Sequence, residues 1–247
     1  MRSWRKRSAT AFASGGAARA VGTTASARDY ISVSGAFSLL KNSDNLGVLT
    51  GPFTTGQGTT IPGGTILPAG TLVGWNTDFN RGFAFSGAYG KRFGGFDAVG
   101  LGGLRAELEV AFQRNRVNRH RNVVAGALPL GGEDAGLFVP GSGPTGITVS
   151  NFVANDDGRN RTLFLMANAL CDIDFGWGVR PCLGAGLGVG FVNVRYEPVG
   201  MTFIRDSSTK FAWQAMGGAS FAIALNTDIY AGYRFRKTKD PQVSATF

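Results

Sequence analysis

The stretch that most constrains this chain is Leu104 to Asn115, LRAELEVAFQRN. Read with period two, it places Leu104, Ala106, Leu108, Val110 and Phe112 on one face and Arg105, Glu107, Glu109, Gln113 and Asn115 on the other. Only Ala111 interrupts the polar row. A helix would set the charged and apolar sets side by side with no apolar stripe of helical width, so the segment is a strand. Its polar face must be wet or must find charged partners, because a buried unpaired charge is costly. Its apolar face carries no charge over about ten residues, roughly the length a tilted strand needs to cross a bilayer. Lipid on one side and a polar lumen on the other satisfy both faces.

No window holds the run of about 18 apolar residues expected of a membrane helix. A chain that spans a membrane without such a helix does so as a closed barrel, the other structure that satisfies its backbone groups in lipid. The 38 glycines fall inside alternating apolar segments as well as in loops, which separates the chain from low-complexity linkers.

The same alternation recurs along the chain. Tyr30 to Leu40, Gly82 to Lys91, Leu163 to Asp172, Pro181 to Tyr196, Phe211 to Leu225 and Asp228 to Lys237 read as strands, giving seven with the central one. The connections are long at 41–81, shorter at 93–103, long at 116–160, short around Gly176-Trp177, medium at 197–210 and short at Asn226-Thr227. Outer-membrane barrels segregate short periplasmic turns from long outer loops, whereas a soluble up-and-down barrel has no reason to sort loops by end.

The formal charge of +9 raises nucleic-acid binding, but four of the positive charges, Arg2, Arg5, Lys6 and Arg7, lie in the first seven residues, Arg19 and Arg28 follow before the first strand, and the rest are mostly isolated. We therefore expect no nucleic-acid partner. Residues 1–27 have the outline of an export signal, with a basic start and an Ala25-Ser26-Ala27 cleavage pattern, although the Ser8 to Thr24 middle is Ala/Gly-rich and contains Arg19. A disordered basic leader is the other reading. Residues 28–247 form one domain.

Three motifs resemble a known family. Pro181-Cys182-Leu183-Gly184-Ala185-Gly186-Leu187-Gly188, Phe211-Ala212-Trp213-Gln214 and Ala231-Gly232-Tyr233-Arg234 are together similar to the small bacterial outer-membrane β-barrels that include opacity-type adhesins, rickettsial and brucellar surface antigens and the OmpA membrane domain. The resemblance covers Tyr30 to about Lys239. It implies an antiparallel up-and-down transmembrane barrel of the eight-stranded type, located in the bacterial outer membrane, with no cofactor and a structural or adhesin-like role. One departure stands out: the eighth strand is missing or truncated. Seven strands leave the first and last with unpaired edges, which a longer chain, a shortened strand through Val243, Ala245 and Phe247, or another chain would have to satisfy. We expect the sequence to be a fragment.

The candidate site residues follow from parity. Arg105, Glu107, Glu109, Asn168, Asp172, Gln214, Arg234 and Arg236 take the lumen face and are expected to form a paired polar network. Gly184, Gly186, Gly188 and Gly190 lack the G-x-G-x-x-G spacing of a dinucleotide fingerprint, and alternation continues after them where a helix is required. They read as a small-residue stripe facing a crowded lumen. His120, the single histidine, is expected in a loop and has no serine partner evident from spacing. Arg114, Arg116, Arg119 and Arg121 around it are candidates for contacts to lipopolysaccharide phosphates at the outer rim, or form a solvated basic loop. Cys171 and Cys182 are candidates for a disulfide: turn arithmetic sets them opposite each other, while the parity of their neighbours puts them on different faces. No metal site is expected. The expected partners are outer-membrane lipid, lipopolysaccharide and a host or cell-surface ligand of the loops. A narrow porin and a lipid-modifying barrel enzyme are the alternatives.

Overall fold

In the computed structural model, which describes residues 2–7, 29–93, 101–154, 158–173, 178–196, 204–224, 227–239 and 242–245, the alternation of Leu104 to Asn115 lies within one 25-residue strand. In chain order the strands are β1 (Arg2–Arg7), β2 (Asp29–Ser38), β3 (Ser43–Val48), β4 (Phe53–Thr54), β5 (Ile66–Leu67), β6 (Leu72–Phe79), β7 (Gly82–Phe93) and β8 (Leu101–Ala125). They continue with β9 (Leu128–Pro129), β10 (Arg159–Ile173), β11 (Val179–Tyr196), β12 (Ile204–Ala224), β13 (Thr227–Thr238) and β14 (Gln242–Ala245). A 3-10 turn at Ala135–Phe138 and a short helix α1 (Val149–Ala154) lie between β9 and β10. Among the described residues no helix is long and apolar enough to cross a membrane.

Seven of these strands form a curled antiparallel meander, β2-β7-β8-β10-β11-β12-β13, with each strand hydrogen-bonded to its neighbour in sequence order. This is an up-and-down sheet of the barrel type. Among the described residues no strand bridges β2 and β13. The tail does not take that place: β14 pairs with β1, Val243 opposite Trp4, and β1 pairs in turn with β3. Phe247, Ala25-Ser26-Ala27 and Gly176-Trp177 lie outside the described residues.

The two faces of the curled sheet are chemically opposite. On β8, Glu109 is 1% exposed and Leu108 64%, one residue apart. The convex face carries Ile31, Val33, Phe85, Leu108, Val110, Leu165, Leu187, Phe211, Trp213, Ile223 and Tyr233, all large, apolar and exposed. So wide a continuous apolar surface on all seven strands is far beyond what a water-facing monomer leaves uncovered. The concave face carries the charges. It is also where the glycine stripe of β11 faces β10. A Cβ on Gly186 would collide with the Asn168 carboxamide oxygen, one on Gly188 with the Leu165 carbonyl and one on Gly190 with the Phe164 ring. The stripe is spacing material, letting bulky β10 side chains lie across β11.

Three segments expected to be loops contain strands. β8 runs on through Ala125, so 116–125 is sheet, and β3 to β6 occupy much of 41–81. β12 begins at Ile204, inside the expected 197–210 connection. Their alternation is hidden by irregular register. Between Val117 and His120 a bulge against Asp78 and Phe79 shifts the buried parity from odd to even, and Asn122, with φ 53°, stands where it shifts back. Below that point β8 pairs with β7 and above it with β6, so one long strand belongs both to the curled sheet and to a second sheet at its end.

The opposed faces predict opposed tolerances. Leu108→Arg should destabilise the protein by about 2 to 4 kcal/mol in a folding titration in bilayers, as arginine does at membrane mid-depth. Glu107→Gln should cost less, and equal tolerance of both would show the faces to be misassigned.

Candidate functional site: polar interior and folded crown

β8 supplies the centre of the interior. The Glu109 carboxylate, buried on the concave face, accepts from Asn168 Nδ2 on β10 at 2.8 Å, Gln214 Nε2 on β12 at 2.9 Å and Arg236 Nη2 on β13 at 3.2 Å. Arg234 on β13 also donates to it. Gln214 donates to Asn168 Oδ1 at 2.5 Å, and its own carbonyl oxygen receives Arg236 Nε and Nη2 at 2.9 and 2.8 Å. The Arg236 guanidinium stacks 4.3 Å from the centroid of Phe164, an apolar contact that suits the weakly hydrated guanidinium.

A second group lies one step down the same face. Arg105 Nη2 is 2.7 Å from Asp172 Oδ1 and Nη1 is 3.6 Å from Glu107; both are ion pairs and neither is a hydrogen bond, the first for its angle and the second for its length. Tyr30 on β2 donates to Glu107 at 2.5 Å. At the lower end Asp228 receives Arg92 at 3.0 Å and Arg180 at 3.1 Å. All eight interior residues singled out from sequence therefore lie on the concave face, in two adjoining groups. Tyr30, Arg92, Arg180 and Asp228 were missed, although parity places each inward. A cavity of about 70 Å³ opens between the network and β2, lined by Ser34, Ser86, Gln113 and Arg236 among others.

The cysteines do not bridge. In the β10–β11 register Cys171 faces Leu183 and Cys182 faces Asp172, so the two are offset by one residue and point to opposite faces, and no disulfide joins them. Neighbour parity, and not turn arithmetic, was the correct guide.

The long connections fold. The upper part of β8, β6 and β3 make a sheet, and the segments 49–71 and 126–154 pack beside it. Val123, Ala125, Leu130, Leu137 and Val149 form its core, with Ile61, Val73 and Trp75 against them. His120, expected in a loop, is a buried strand residue: its Nδ1 is 2.8 Å from Thr77 Oγ1 and its ring meets Trp75 edge-on. Two carboxylates tie the crown. Glu133 accepts the backbone N–H groups of Thr59, Thr60 and Ile61, besides the Thr60 hydroxyl. Burial alone would raise its pKa, but the bonds from Thr60, Ile61 and Thr59 outweigh burial and hold it below the usual value. Asp134 accepts from the N–H groups of Gly136, Thr145 and Gly146 at 2.7 to 2.8 Å. The bonds from Thr145 and Gly136 foremost bring its pKa down to about 2.

The arginines sort into two kinds. Arg119 and Arg121 bind Asp78, at 3.1 and 3.0 Å. Arg114 and Arg116 lie below them on β8, opposite Arg161 and Arg159 of β10.

Curled antiparallel sheet, apolar convex face, paired charges within and folded connections at one end define a β-barrel-type surface protein. Residues 73–244 match the family model described as Surface antigen, and the chain belongs to that family. No curated protein and no solved structure matches it.

The crown carries a pH dependence. Because the folded pKa of Asp134 is depressed from its ordinary 3.8 to about 2, its contribution to crown stability is complete above the ordinary value and is lost as pH falls through the folded one. Hydrogen-exchange protection of the Gly136, Thr145 and Gly146 amides should fall between about pH 4 and pH 2. Asp134→Asn should lower that protection at neutral pH and flatten its pH dependence.

Proposed function

We propose that the chain is a non-enzymatic β-barrel surface protein of the bacterial outer membrane, structural or adhesin-like, whose crown is the face it presents outward. The observation that carries this is the polarity of the meander: apolar outside, charged and paired inside. That is the reverse of a soluble barrel, and it is stable only with lipid around it. The connections β2–β7 and β8–β10 build the crown at one end, while β10 and β11, and β12 and β13, follow each other within a few residues of sequence. This agrees with long extracellular loops over short periplasmic turns. A cell-surface ligand would meet the crown, a folded surface with its own core that needs little ordering on binding.

The narrow-porin reading is weaker because Glu109, Asn168, Gln214 and Arg236 bond to one another across the interior. The lipid-modifying enzyme is weaker because His120 is engaged with Thr77 beneath the crown surface.

The test is orientation in living cells. In a Cys171→Ala, Cys182→Ala background, Leu128→Cys in the crown should react with a membrane-impermeant maleimide on intact cells. Lys91→Cys, at the opposite end, should react only after lysis. Labelling of both on intact cells, or of neither, would contradict the proposed topology.

A further inference from the structure

We propose that the outward arginines at the top of β8 and β10 form a binding site for the phosphate groups of an outer-leaflet glycolipid, lipid A. The register sets Arg114 directly opposite Arg161 and Arg116 directly opposite Arg159. Residues opposed in this way have Cβ atoms about 4.5 to 5.5 Å apart, and like charges so placed destabilise a sheet. Here two such pairs are stacked on one face. Among the described residues none of the four is within ion-pair distance of a carboxylate. The two arginines beyond them on β8, Arg119 and Arg121, instead share one carboxylate, that of Asp78. The backbone register carries the Arg116–Arg159 row on to Arg195 of β11 and Arg205 of β12, so one line across four adjacent strands holds an arginine at every strand.

What the cluster faces is set by its height. Arg114 and Arg161 continue the convex parity of Phe112 and Leu163, the top of the apolar belt on their strands. Two residues of strand is about 7 Å, so the guanidinium groups stand where acyl chains end and lipid headgroups begin. An anion held there belongs to the lipid, whereas a soluble macromolecule would have to descend to the membrane surface to reach it. Planar guanidinium groups in pairs suit a phosphate, to which each can donate two parallel hydrogen bonds. The anion relieves the repulsion that the register imposes. Of the four arginines around His120, Arg114 and Arg116 belong to this cluster, Arg159 and Arg161 join them from β10, and Arg119 and Arg121 share the Asp78 carboxylate.

This site rests on the outer-membrane reading, and the experiment separates the two. The full chain is folded into zwitterionic phospholipid vesicles containing either bisphosphorylated lipid A or its dephosphorylated form, and bound lipid is counted by native mass spectrometry after detergent extraction. The bisphosphorylated lipid should be retained at least about ten-fold more strongly, as expected when charge-assisted bonds to phosphate are added. Arg159→Gln with Arg161→Gln should abolish the preference. Lys at both positions should restore part of it, and Arg119→Gln with Arg121→Gln should leave it intact. Normal insertion with equal retention of the two lipids overturns this site alone. Loss of the preference in millimolar inorganic phosphate would show a free-anion site and overturn the assignment to lipid. Failure to insert into either vesicle overturns the outer-membrane reading and the site with it.

Discussion

The fold depends on what surrounds one buried carboxylate. Glu109 sits in a low-dielectric interior, where an ionised group without partners is prohibitively unstable, and its partners come from β10, β12 and β13. The bond from Arg236 spans 127 residues of sequence and crosses the concave face from β8 to β13. A flat sheet would leave those side chains too far apart to meet. Curl, interior polarity and the glycine stripe that makes room for Asn168 and Phe164 are therefore parts of one arrangement. Replacing the ions with apolar residues could serve stability equally well, so the network's distinctive effect is to hold one register and one curvature.

The second constraint comes from outside. Apolar side chains on all seven strands cover the convex face, and in the lipid setting proposed for them the backbone would require sheet pairing along the whole depth. Above the apolar belt the chemistry changes within a few residues on the same strands, from Phe112 and Leu163 to the paired arginines and then to the crown. β8 passes through all of these zones, which is why its 25 residues organise so much of the chain.

The curled sheet and its interior were largely legible in the sequence because period-two alternation is a local signal that needs no knowledge of partners. Arg105, Glu107 and Glu109 declared their face by their spacing, and Gln214, Arg234 and Arg236 declared theirs in the same way. The crown was not legible. Its strands are short, and a bulge near Asp78 with Asn122 in the left-handed region breaks the parity of β8 where it enters. Its Gly, Pro and Thr content reads as loop because the bonds that organise it are long-range, such as Glu133 to the Thr59, Thr60 and Ile61 amides. The arginine pairs were half legible: Arg114 and Arg116 could be seen, but only register brings Arg159 and Arg161 beside them.

Charges on β8 and β13 meet across the inside of the curled sheet, at Glu109 with Arg234 and Arg236. A double-mutant cycle on Glu109→Gln and Arg236→Gln, measured by unfolding titration in phospholipid bilayers, tests it most directly. Residues in one ion-pair network should show a coupling energy of about 1 to 3 kcal/mol. Strictly additive effects would mean that the two side chains do not meet, and would contradict both the polar interior and the curvature built on it.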